Sequence, residues 1–120
     1  MYQQDWLMNQ IDSMIQFIAK ILLNKVAINN KSLIKMDDTK ISSLHLELQE
    51  KINQLNINEA ENTLFDYIET TNELSYLIVA VNFYKSLNEL SDLELERSNY
   101  SRDEIKEGLM EISQLFRIVI

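Results

Sequence analysis

Leu7, Ile11, Met14, Ile15, Ile18 and Leu22 recur at spacings of three and four, which predicts an amphipathic helix over residues 3–25. Asp5, Asn9, Asp12, Ser13, Gln16, Lys20 and Asn24 form the opposing polar stripe. Trp6, Phe17 and Ile21 lie outside the main apolar stripe and widen it. A helix that is apolar over well more than ~100° of its circumference has more than one neighbour, so these three residues mark a second contact face. That face has two readings: packing against the fourth or last helix of the same chain, or a surface for a partner or a second copy.

Residues 26–40, "VAINNKSLIKMDDTK", have no clean period and are rich in turn formers, which predicts a connector. A second helix is expected over 41–55, with Leu44, Leu48, Ile52 and Leu55 on one face. The run "LHLEL" alternates like a strand, but the surrounding spacing outvotes it. Asn58 looks like an N-cap followed by the acidic turn "EAEN". The helix it opens runs to about Thr70 and buries Ala60, Leu64, Phe65 and Ile68. Asn72 is the next cap candidate, opening "ELSYLIVAVNFYKSLNEL". This helix is apolar almost all round, with only Ser75, Asn82, Lys85, Ser86 and Glu89 at its polar edge, and is expected at the centre. Ser91 with Glu94 and Ser101 with Glu104 fit the S-x-x-E capping box. The first opens a short helix, "DLELER". The second opens a final helix from Arg102 to about Phe116 that buries Ile105, Leu109, Ile112, Leu115 and Phe116, and "RIVI" continues or docks it. Gly108 sits inside that helix at a cost near ~1 kcal/mol relative to alanine, which close packing against another helix would explain.

The expected fold is therefore all-α: one domain over residues 1–120, a helical bundle of five main helices plus one short helix. Composition supports this. One glycine and no proline in 120 residues suit long helices with few sharp reversals. The absence of cysteine excludes disulfides and thiolate metal sites. Hydrophobic residues at 46% are enough for a core in a chain of this length.

Charge is unevenly spread. Residues 1–40 carry five lysines and four aspartates, whereas residues 41–120 carry six basic and fifteen acidic side chains. An acidic body repels phosphate backbones and argues against nucleic acid. Asp5 precedes the first basic residue, Lys20, which itself interrupts "FIAKILL", so no secretory signal is recognisable. No window offers the ~20 apolar residues of a membrane span, and the cytoplasm is the expected location.

The stretch "LNINEAENTLFDYI" places Leu55, Ala60 and Leu64 at the turn-glycine, alanine and aromatic positions of tetratricopeptide spacing. The glycine is replaced and Asn72 stands where that repeat has proline, so the match supports helix hairpins at 41–70 and 73–116 rather than a repeat array. Together, "MYQQDWLMNQI…FIAKILL", "INEAENTLFDYI", "FYKSLNELSDLELE" and "SRDEIKEGL" resemble a family of short, uncharacterised proteins of low-GC Gram-positive bacteria known only as a domain of unknown function. The resemblance spans nearly the whole chain, least over 26–40. An arginine commonly stands in that family where Asn9 is here. It implies a tetratricopeptide-like helical domain in the cytoplasm, with no catalytic residues to carry over.

The chemistry points away from an enzyme. His45 is the only histidine, and on a helix it cannot share a face with Glu47, so no metal site is expected. Glu-x-x-His pairs are absent, one glycine excludes phosphate-binding glycine loops, and no cofactor is implied. The acids Asp92, Glu94, Glu96, Asp103, Glu104 and Glu107 lack EF-hand spacing and read as acidic helix starts. Tyr67, Tyr76, Phe83 and Tyr84, at helical spacing, read as core rather than a ligand groove. The expected function is non-enzymatic protein–protein interaction through an apolar helix face, with Trp6, Phe17 and Ile21 as its residues. The alternatives are a small-molecule or lipid carrier with an apolar pocket along the fourth helix, and membrane-surface association through the first helix. Asp5 and Asp12 oppose the latter.

Overall fold

The computed structural model describes residues 2–29, 38–70 and 73–118. The described residues form six helices and no strand: α1 (Tyr2–Asn29), α2 (Asp38–Asn53), α3 (Ile57–Thr70), α4 (Leu74–Asn88), α5 (Asp92–Arg97) and α6 (Arg102–Leu115). The largest differences from the boundaries read in the sequence lie on the two sides of the expected connector. α1 continues to Asn29, because "VAIN" holds no breaker and β-branched residues cost a helix only tenths of a kcal/mol. α2 opens at Asp38. The remainder of the expected connector, residues 30–37, lies outside the described residues.

α4 is the centre of the bundle, packing against α1, α2, α3 and α6, while α2 also packs on α3 and α1 on α6. The reason lies in its sequence: ten of its residues are buried, from Ser75 to Asn88. Ser75, expected at the polar edge, is among them, whereas Asn82, Lys85 and Glu89 face solvent. α1 presents Leu7, Ile11, Ile15, Ile18 and Leu22 to the core, as its three-four spacing requires. α3 contributes Ile57, Ala60, Leu64 and Ile68, and α6 contributes Ile105, Leu109 and Ile112.

Helix starts were legible only where a side chain makes the cap. Both capping boxes are formed: the Ser91 hydroxyl accepts from the Glu94 N–H at 3.1 Å, and that of Ser101 from the Glu104 N–H at 3.2 Å. The Ser91 N–H in return donates to Glu94, and this bond first, then the hydroxyl, holds the Glu94 carboxyl below its ordinary range. The asparagine caps are corrected. α3 already begins at Ile57, so Asn58 lies inside it, and its amide reaches across to the carbonyls of Ser98 and Asn99. α4 is capped by Glu73 without a side-chain bond, and Asn72 lies outside the described residues.

The helix ends explain how the chain reverses with so little glycine. Leu55, Asn99 and Arg117 have φ of 61°, 53° and 57°, the left-handed conformation that ends a helix. Each is flanked by the same pair of bonds. After α2, Asn56 N–H reaches Lys51 O and Leu55 N–H reaches Ile52 O. After α5, Tyr100 reaches Leu95 and Asn99 reaches Glu96. After α6, Ile118 reaches Ser113 and Arg117 reaches Gln114. These are Schellman ends, normally given to glycine. Leu55 is thus not part of the buried row of α2; it terminates the helix. At the last end, Ile118 is buried and docks on the core.

A side chain in this conformation costs roughly 1–2 kcal/mol, and glycine's added chain entropy offsets part of any gain. Arg117 is exposed, so Arg117→Gly should raise stability by about 0.5–1 kcal/mol. Asn99→Gly should gain less, since asparagine tolerates the conformation. Urea unfolding midpoints of the two variants check the ranking.

Candidate functional site

Helical spacing puts Trp6, Gln10, Ser13, Phe17 and Ile21 along one side of α1, at i, i+4, i+7, i+11 and i+15. The core does not cover this side at Trp6 or Phe17, which are 65% and 45% exposed. Ile21 is half-buried and packs against the core edge, as does Met14. The structure therefore brings the three sequence candidates onto one face, with Ile21 at its inner margin. Packing of Trp6 inside the molecule, the competing reading of the sequence, does not occur. Between its aromatic residues the face carries a shallow hollow of about 260 Å³ lined by Gln10, Ser13, Met14 and Phe17.

What holds α1 in place was not legible in the sequence. Asn88, at the end of α4, donates through Nδ2 to Met8 O at 3.1 Å and to Asp12 Oδ1 at 2.9 Å. Its own carbonyl and Oδ1 accept from Arg102 Nη1 at 3.0 and 3.1 Å. Arg102 Nη2 donates to Leu90 O at 2.7 Å and to Asp92 Oδ1 at 3.0 Å, and Nε to Asp92 Oδ1 at 3.2 Å. All five guanidinium donors are thereby used. Both residues are almost fully buried. One signal could have flagged Arg102: a cation at the first position of a helix opposes the helix dipole, so it needs a partner elsewhere.

A second polar cluster joins α3, α4 and the turn between α5 and α6. Glu61 Oε2 accepts from the Tyr84 hydroxyl at 2.5 Å and from the Tyr100 hydroxyl at 2.9 Å. Burial, then the charge of Glu61, pushes both phenols well above their ordinary range. Tyr84 reaches Glu61 by passing over Gly108. A Cβ there would lie 2.5 Å from Tyr84 Cζ and 2.6 Å from Cε1, and closer still to the hydroxyl. Close packing does explain the lone glycine, and its neighbour is a ring rather than a backbone.

Glu61 also floors a groove of about 330 Å³ between α3 and α6, with Glu69, Glu104, Glu107 and Glu111 on its walls. Desolvation raises the Glu61 carboxyl above its ordinary range, the two phenols oppose this, and Glu104 and Glu111 add to it. A carboxyl raised by folding contributes stability in its protonated form, and that contribution is lost as pH rises through the raised value. The stability of Glu61→Gln relative to wild type should therefore increase with pH just above the ordinary glutamate range and then level off. Urea unfolding between pH 4 and 8 measures this; a difference independent of pH would show that the carboxylate is not desolvated.

Tyr76, Phe83 and Tyr84 are buried, and Tyr67, 38% exposed, stacks on Tyr76 at 6.1 Å. His45 is exposed on α2. Among the described residues no group of three acids or histidines is arranged to hold a metal, and no helix is long and apolar enough to cross a membrane. A third hollow, of about 410 Å³, lies over α5 and the start of α6 beside Asp92, Tyr100 and Arg102.

No curated protein and no solved structure matches the chain. A family does match, over residues 1–117, and it takes in every element built above, from the Trp6 face to the Arg102 network. The chain belongs to the family of unknown function DUF6483.

Proposed function

We propose that this protein is a non-enzymatic interaction domain of the bacterial cytoplasm that binds protein through the Trp6–Phe17 face of α1. One observation carries the reading: the only tryptophan is 65% exposed, on a helix whose opposite flank is fixed by Asn88 and Arg102. Large rigid aromatics on a fixed helix are the residues that dominate binding energy at protein interfaces. The helix hairpins, and Leu55 turning left-handed where tetratricopeptide spacing has glycine, support a tetratricopeptide-like scaffold. A carrier finds less support. Leu77, Ala80, Tyr84 and Leu87 of α4 are completely buried, and none of the three hollows described is lined by α4.

Trp6→Ala tests the reading. The variant should keep its helical circular dichroism while losing the association, with affinity falling ~30-fold or more, the ~2 kcal/mol of a central aromatic anchor. Since Trp6 is the sole fluorophore of its kind, its emission should shift to the blue when the complex forms. A variant that unfolds, or one that retains every interaction of the wild type, would refute the proposal.

A further inference from the structure

The face on α1 is complementary to itself, and we infer that its occupant is a second copy of this chain, paired antiparallel about a two-fold axis at Ser13 and Met14. The inference rests on the interaction reading above and names its partner.

The chain carries a net −8, so two copies repel wherever their acidic surfaces meet. The face is the exception. Of the acids described on α1, Asp5 and Asp12 point roughly 100° and 120° away from Trp6 at ~100° per residue, and Asp12 is engaged by Asn88. The residues that share the face are Trp6, Gln10, Ser13, Met14, Phe17, Lys20 and Ile21, with no carboxylate among them. A basic partner would prefer the acidic groove between α3 and α6. A second copy, acidic like the first, is a partner that a carboxylate-free seam suits.

In an antiparallel pair centred between residues 13 and 14, Trp6 falls opposite Ile21 of the other copy and Gln10 opposite its Phe17. The hollow lined by Gln10, Ser13, Met14 and Phe17 then lies under the other copy's Phe17. Knob and hole sit on one patch at spacings that close under two-fold symmetry, the condition for an isologous dimer. The contact runs from residue 6 to residue 21, about 22 Å of helix at 1.5 Å per residue. A single helix pair is smaller than a standard interface of ~1,600 Å², so association in the micromolar range is expected.

Sedimentation or light scattering of the full chain from about 1 to 300 µM reads the mass. Wild type should rise from 14.2 kDa toward twice that value. The rise should be favoured by raising salt, because screening weakens the −8/−8 repulsion; an ion-paired contact would weaken instead. Phe17→Glu, a substitution at an exposed position, should leave circular dichroism unchanged and weaken dimerisation at least ~30-fold. Register is read separately. The chain lacks cysteine, so an introduced thiol is the only one in each copy. A Ser13→Cys variant should therefore be joined to its own copy by a short bismaleimide, and Leu23→Cys, 69% exposed on another side of α1, should not. A 14.2 kDa mass at every concentration, or equal cross-linking of both variants, overturns the inference. If a different protein is then captured in a Trp6-dependent way, the dimer alone is lost; if nothing is, the interaction reading falls with it.

Discussion

Arg102→Met is expected to lower stability by about 3–5 kcal/mol, the range for removing one partner of a buried charged network. The substitution keeps the volume of the stem but removes all five donors. It leaves the carbonyls of Asn88 and Leu90 and the Asn88 Oδ1 without their guanidinium partner, and an orphaned buried acceptor costs ~1–3 kcal/mol. Asp92, whose side chain is 55% exposed, rehydrates, so Asp92→Asn should cost no more than ~1 kcal/mol. Arg102→Lys should recover less than half of the loss, because a lysine has three donors and no planar fork. Against a total of roughly 5–15 kcal/mol, Arg102→Met removes a large fraction, and thermal unfolding should begin well over ~10 °C earlier. The consequence reaches α1. Arg102 orients Asn88, and Asn88 grips Met8 and Asp12, so amide exchange around residues 8–12 should quicken even in the milder lysine variant. Unchanged exchange there would mean that apolar packing alone positions the Trp6 face.

Gly108→Ala should destabilise, although helix propensity alone favours it by ~1 kcal/mol. The new Cβ would meet the Tyr84 ring at 2.5–2.6 Å. The ring has nowhere to go: Tyr84 is fully buried, sits edge-on to Phe83 at 5.0 Å, and is tied to Glu61. Overpacking of this kind costs ~1–3 kcal/mol, so the net loss is up to about 2 kcal/mol after the propensity gain. A double-mutant cycle isolates the cause. In a Tyr84→Leu background the ring is absent, and Gly108→Ala should become neutral or stabilising. Tyr84→Phe should not rescue it, because Cζ and Cε1 remain in place. If alanine stabilises the wild-type chain, α6 is free to shift off α4, and the Glu61 cluster is looser than its geometry implies.

Where a pattern depends on neighbours three or four residues away, it was legible. The apolar stripe of α1, the burial of most of α4, both capping boxes and the bounds of α5 follow from spacing alone, because helical geometry fixes which side chains share a face. The exposure of the second face was not. Spacing put Trp6, Phe17 and Ile21 on one side, but whether α4 or α6 would cover that side depends on how the helices cross. The asparagine caps failed for a related reason: Asn58 has the right local chemistry, yet its amide is used by the end of α5, forty residues away.

The amino-acid pattern by itself determined that this chain is an all-helical bundle with α4 at its centre, because local periodicity and capping carry that information. Only the tertiary structure decided which polar groups are buried and which apolar ones are left out. Arg102 meets Asn88, Tyr84 crosses Gly108 to reach Glu61, and Trp6 stays in solvent. Each of these is a contact, or a missing contact, between segments far apart in the chain, set by the packing of whole helices rather than by any spacing along one of them.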